Sequence, residues 1–163
     1  MNFTVKAAMG NFFDRSAVIK RTDAAIRKNL SKYGAFVRTR ARSSLRYRDK
    51  TSTPGAPPSL HKTMFRMKTS KKGVTKKQSV SPLREFLFFA YDDSRKSVVI
   101  GPSKLSGKIG SAPQALEYGG VSIVRAPGGG TRTVQIRARP FMRPAAEATN
   151  RELPSIWQNS IKR

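Results

Sequence analysis

The chain has 163 residues, 33 Lys and Arg against 9 Asp and Glu, a formal net charge of +24 and no cysteine. That length suffices for one domain with a modest core, and the missing thiols exclude disulfide staples and thiolate metal sites while fitting a reducing compartment. So large a positive charge opposes compaction by self-repulsion and favours a polyanionic partner: nucleic acid, an acidic protein surface or an anionic membrane.

Residues 1–13 read as a loose N-terminal arm. They lack a continuous apolar h-region, so no secretory leader is expected. No run of about 18 apolar residues exists, so no membrane span is expected either. The protein is expected to be made and used in the cytoplasm of its producer. Asp14 is a suitable N-cap for a helix beginning at Arg15, with Phe13 and Val18 spaced as a hydrophobic staple across it.

Residues 14–46 carry a helical pattern. Ile19, Ile26, Leu30, Tyr33, Val37, Ala41 and Leu45 recur at steps of three, four or seven and share a face. Lys20, Arg27, Lys28, Lys32, Arg38, Arg42 and Arg46 crowd the flanks. Gly34 sits mid-helix, where glycine costs about 1 kcal/mol relative to alanine; a kink or a close packing contact would explain it. Residues 47–82 then read as a Pro-rich connector followed by a basic loop. Within that loop, residues 66–79 hold six basic residues and no acid, the composition of a mobile basic arm.

Residues 83–138 are expected to form the sheet. The apolar run through Phe86, Phe88, Phe89 and Tyr91 and the β-branched run Val98, Val99, Ile100 make a strand pair about an Asp92–Arg95 turn. Residues 113–118 read as a short helical turn stopped by Gly119. Residues 121–125 and 131–137 pair across Gly128, Gly129 and Gly130. A C-terminal helix and tail occupy residues 140–163, with Pro154 stopping or kinking the helix. The fold class is thus α+β in a single domain. A long N-terminal helix and a C-terminal helix pack on a small antiparallel sheet of about four strands, with an extended basic arm.

No constellation points to catalysis, a cofactor or a metal. Residues 101–109, GPSKLSGKI, resemble a phosphate loop but have five residues between the glycines, and Ile109 stands where a hydroxyl must reach magnesium. His61 is the only histidine, lies in the connector and lacks a partner of fitting chemistry nearby in sequence. Asp92-Asp93 is a turn, and the other acids, among them Asp23, Asp49, Glu85, Glu147 and Glu152, are dispersed and read as helix caps or arginine partners, so a two-metal nuclease would require tertiary convergence. The protein is therefore expected not to be an enzyme. The candidate contacts for DNA or an acidic partner are Arg66, Lys68, Lys71, Lys72, Lys76 and Lys77 in the basic segment, with Arg38 and Arg42 on the helix. Flexible Lys and Arg bind phosphate without sequence preference, and a loop that orders against a neighbouring subunit remains open beside that use. Aromatics are sparse there, with only Phe65 beside the segment, so base stacking on a single strand is not indicated.

The order of five pieces resembles one family. KYGAFVRTRARSSLR lies in the long helix and PGAPPSLHKT in the connector. SVVIGP ends the strand pair, APQALEYGG comes after it, and ARPFMRPA leads into the last helix. In this order the chain resembles the minor tail and tail-completion proteins of tailed bacteriophages, the family that includes the minor tail protein Z of phage lambda. The resemblance implies a structural virion protein at the head–tail junction, assembled in the bacterial host cytoplasm. It also implies a homo-oligomeric ring, a hexamer, beside other neck and tail proteins: a tail terminator, a head-completion or connector protein and the tail tube. Genomic DNA would pass through the lumen. Glu117, Tyr118, Arg139, Phe141, Met142 and Arg143 become the candidate subunit interface, with Glu117 pairing an arginine of its own or the next subunit and Phe141 and Met142 anchoring the last helix against the sheet. The alternative is a general basic nucleic-acid-binding protein of ribosomal or nucleoid type.

Overall fold

A 30-residue helix, α1 (Arg15–Ser44), is the spine of the molecule. The computed structural model describes residues 14–62, 64–71, 73–103, 112–158 and 160. Phe13, the residues 1–13 arm, most of the loop at 101–109 and the last three residues lie outside them. Asp14 caps α1 as expected, its Oδ1 accepting from Ala17 N at 2.9 Å. Beyond α1 come β1 (Arg46–Tyr47), β2 (Ser59–Leu60), β3 (Met64–Thr69), β4 (Thr75–Val80) and α2 (Pro82–Glu85). They are succeeded by β5 (Leu87–Asp92), β6 (Ser97–Pro102), α3 (Ala112–Tyr118), β7 (Gly120–Arg125), β8 (Thr131–Ile136), α4 (Met142–Asn150) and α5 (Leu153–Trp157). No helix among the described residues is long and apolar enough to cross a membrane.

The α+β class holds, but the single sheet of about four strands does not. The strands form four separate two-stranded pieces: a short parallel bridge, β1–β2, and three antiparallel hairpins, β3–β4, β5–β6 and β7–β8. The basic arm is likewise corrected. Residues 66–79 belong to the β3–β4 hairpin, whose register pairs Phe65 with Ser79, Arg66 with Gln78 and Lys68 with Lys76. Its turn uses Gly73 at φ +78°, a conformation that glycine adopts freely. The connector is not simply extended, because the β1–β2 bridge folds it back on itself. The C-terminal helix is two helices, with Pro154 in the first turn of α5, where its missing N–H costs nothing.

The helical stripe of α1 is buried toward its C-terminal half. Val37, Ala41 and Leu45 join Leu60, Leu87, Phe141 and Ala145 in one core cluster, whereas Ile19 is 49% exposed. α1 packs on α4, α5, β5 and β6. Tyr33 Oη donates to Asn150 Oδ1 at 2.7 Å and Arg40 Nη1 to Thr149 Oγ1 at 2.9 Å, while Arg40 also pairs with Glu152. Partial burial pushes the Tyr33 phenol above its ordinary pKa. The tip of β5–β6 is held by Asp92, whose carboxylate accepts from the Ser94 hydroxyl and the Ser94 and Arg95 amides. Those bonds hold its pKa below the usual range. Lys96, at φ +48°, ties the same tip to α1 through Asp23 at 3.5 Å.

Gly34 marks the closest approach of α1 to this hairpin. A Cβ there would lie 2.8 Å from both Phe89 Cδ2 and Val98 Cγ2. Close packing, not a kink, accounts for the glycine. Alanine gains about 1 kcal/mol of helix propensity, but overpacking costs about 1–3 kcal/mol. Gly34→Ala is therefore expected to lower stability by about 1 kcal/mol and Gly34→Val by more, read as the midpoint shift in urea unfolding.

Candidate functional site

Two constellations gather the residues that the sequence singles out. The first lies where α3, the end of β8 and the start of α4 meet. α3 ends at Gly119, which takes φ +77° and donates from its N to Ala115 O at 2.8 Å. The chain returns through β7–β8, and Arg139 N donates back to Leu116 O at 2.6 Å. This return places the Glu117 carboxylate over the first turn of α4. Glu117 Oε2 accepts from Phe141 N at 2.9 Å and Met142 N at 3.0 Å, and Oε1 accepts from Arg143 N at 2.7 Å. The N-terminal turn of a helix has unsatisfied amides and a positive dipole end, so a carboxylate from elsewhere in the chain is a strong cap. Phe141 itself has no capping side chain.

The interface assignment is thereby corrected at two residues. Glu117 is buried and pairs with backbone amides rather than an arginine, and Phe141 is 1% exposed inside the core cluster. Both are consumed within the subunit. Met142 is half-buried against that core, and Arg139 Nε donates to Ser52 O at 3.1 Å, which ties the connector to the knuckle. Tyr118, 74% exposed, and Arg143 stand outside. Arg143 Nε donates to Glu147 Oε1 at 2.9 Å, which raises the guanidinium pKa further. These two flank an open notch of about 400 Å³ with Pro140, Pro144 and Glu147.

The second constellation is basic. Arg42 Nη2 donates to Glu85 Oε1 at 2.9 Å and Arg66 Nη1 to Glu85 Oε2 at 2.7 Å. Glu85 thus joins α1 to the β3–β4 hairpin. Arg38 Nε donates to Leu87 O at 2.6 Å. Lys77 lies over the Phe65 ring at 4.2 Å, on the hairpin face opposite to Arg66. Lys71 is exposed near the turn, and Lys72 lies outside the described residues. The predicted cationic residues therefore do not form one surface. Arg38, Arg42 and Arg66 come together, Lys68 and Lys76 adjoin them on one hairpin face, and Lys71 and Lys77 go elsewhere.

A cleft of about 500 Å³ beside the Glu85 bridge brings Phe65, Phe86 and Phe88 to Arg38, Arg42 and Arg66. Aromatics are thus not sparse around the basic segment once the chain is folded. A neighbouring cleft of about 330 Å³ adds Tyr47, Lys68, Gln78 and Arg84. Arg84 stands over the Tyr47 ring at 5.8 Å, and Tyr47 Oη accepts from Ser81 N at 3.0 Å. Sequence reasoning gave Glu85 only as one of the dispersed acids that cap helices or pair with arginines, the second of which it does, and passed over Arg84, Tyr47 and Gln78. The only local signal was an isolated acid in a basic stretch.

His61 lines a separate pocket of about 410 Å³ with Ser52, Ser59 and Arg139. Among the described residues no group of three or more His, Cys, Asp and Glu could hold a metal ion. No family model, curated protein or solved structure matches the chain.

Proposed function

We propose that the chain is a structural, non-enzymatic subunit of a tailed-phage virion that completes the tail at the head–tail junction as a homo-oligomeric ring. The observation that carries this reading is the state of the three antiparallel hairpins. Each is a two-stranded ribbon whose strands pair with a single neighbour among the described residues; α1 packs against β5–β6, and a two-stranded ribbon without a helix or further strand against it is marginal in water. Each also turns apolar side chains outward: Phe65 and Met67 on β3, Phe88 and Val99 on β5–β6, Val121 and Ile123 on β7. Free edges beside exposed apolar faces are what neighbouring subunits cover in a closed ring.

The work of such a ring is geometric. It closes the tail end, matches it to the connector above and keeps a passage for DNA. The sequence order from the long helix to the ARPFMRPA knuckle supports the same assignment, and the net charge of +24 suits a protein beside a polyanion. Purified protein is expected to form rings, a hexamer, and labelled virions to show density at the head-proximal end of the tail. Density confined to the capsid shell or the tail tip would sink the proposal. The second reading, a sequence-independent nucleic-acid-binding protein, is favoured by the cations gathered around Glu85. It predicts steep salt dependence of binding by a protein that stays monomeric.

A further inference from the structure

We infer that the cleft between α1, the β3–β4 hairpin and α2 binds the phosphate backbone of nucleic acid without regard to base sequence. The inference rests on the polyanion part of the function proposed above and not on its ring. The cleft is lined by four cations, Arg42, Arg66, Lys68 and Arg84, and a single carboxylate, Glu85. Glu85 does not neutralise the site but orients it. Its side chain is 15% exposed and takes one nitrogen from each of Arg42 and Arg66. A guanidinium carries five N–H donors in a rigid fork, so each arginine keeps most of its donors while its position is fixed. Arg84 is held in a second way, over the ring of Tyr47, whose hydroxyl is anchored by the Ser81 amide.

The hairpin supplies the independent observation. Lys68 sits directly across from Lys76 in the antiparallel register, and like charges in that relation destabilise a ribbon. Arg66 shares their face, since alternate residues of a strand point the same way. No salt bridge among the described residues involves Lys68 or Lys76. A bound anion would offset their repulsion. Arg66 and Lys68 are spaced by about 7 Å along the strand, so a ligand with charge at every repeat engages both, and arginine forks match phosphate oxygens in pairs. A phosphodiester backbone has these properties.

The test is anisotropy titration of the purified full chain against a labelled duplex across a range of salt. The site variant Arg66→Ala/Lys68→Ala/Arg84→Ala is compared with Lys20→Ala/Arg21→Ala/Lys28→Ala, which removes the same charge from the exposed part of α1. The site variant is expected to bind about tenfold more weakly, with the slope of log K on log salt reduced by about two to three, near 0.9 for each phosphate left without its cation. The control is expected to stay within about twofold. Equal losses in the two variants would overturn the inference, because charge alone would then explain binding. Tighter binding of a poly-glutamate peptide than of the duplex would also overturn it and assign the cleft to an acidic protein.

Lys68→Glu separates the site from folding. Opposite Lys76 it replaces repulsion with attraction, so thermal stability is expected to rise or hold while duplex affinity falls. Unchanged affinity in this folded variant counts against the site. Tail rings without duplex binding would remove this inference and spare the proposed function; duplex binding without rings would do the reverse.

Discussion

Glu117→Ala is expected to destabilise the protein by about 3 kcal/mol, because one carboxylate terminates three backbone amides at the start of α4. Loss of an ordinary N-cap costs about 0.5–2 kcal/mol. This cap costs more for two reasons. The acceptor is charged and lies against the positive end of the helix dipole, and the Phe141 amide is buried, so water cannot replace the missing partner without opening the core. Glu117→Gln is expected to lie between wild type and alanine. The amide oxygen can keep the place of Oε2, which accepts from Phe141 and Met142, but the NH2 group then meets the Arg143 N–H where Oε1 stood. Chemical denaturation of the three proteins gives the order. Hydrogen exchange at Phe141, Met142 and Arg143 assigns it, since faster exchange confined to that turn identifies the loss of the cap. Equal stability of wild type and Glu117→Ala would show that the amides find other acceptors and would remove Glu117 from the structural account.

That residue also marks the boundary of what the sequence could reveal. Local signals were legible. Asp14 caps α1, Asp92 organises its turn, Gly119 stops α3, and both the β5–β6 and β7–β8 hairpins lie where alternation and turn residues put them. Each depends on neighbours within a few positions. The β3–β4 hairpin shows the same alternation in Phe65, Arg66, Met67 and Lys68, but the lysine content imitates a solvated arm. What stayed hidden is contact between distant segments. Glu117 reaches amides 24 to 26 residues away, and Glu85 gathers Arg42 and Arg66 from 43 and 19 residues away. Nothing in a carboxylate's immediate surroundings says whether it will face an arginine of another subunit or a helix terminus of its own. The burial of Ala25 and Asn29, off the predicted apolar stripe of α1, has the same origin. Other elements, not the periodicity of the helix, decide which stripe is covered.

Phe141→Ala is expected to have the largest effect of all on the isolated subunit, about 3–5 kcal/mol. The ring is fully buried in a core cluster with side chains from α1, β2, β5 and α4, so truncation removes its transfer free energy and leaves a cavity in that cluster. Domains of this size are stable by only about 5–15 kcal/mol, so the variant would be marginal or unfolded at physiological temperature. The result discriminates between two roles for the knuckle. An interface residue loses assembly while the dilute monomer melts normally. A core residue loses the monomer first, at every protein concentration. Tyr118→Ala supplies the contrast, because its side chain is exposed and has no share in the core cluster. It should leave the melting temperature of the dilute subunit unchanged and weaken ring formation, measured by sedimentation over a concentration series. A normal melt for Phe141→Ala would return that residue to the interface. A lowered melt for Tyr118→Ala would instead take from the proposed ring the most exposed aromatic of its notch.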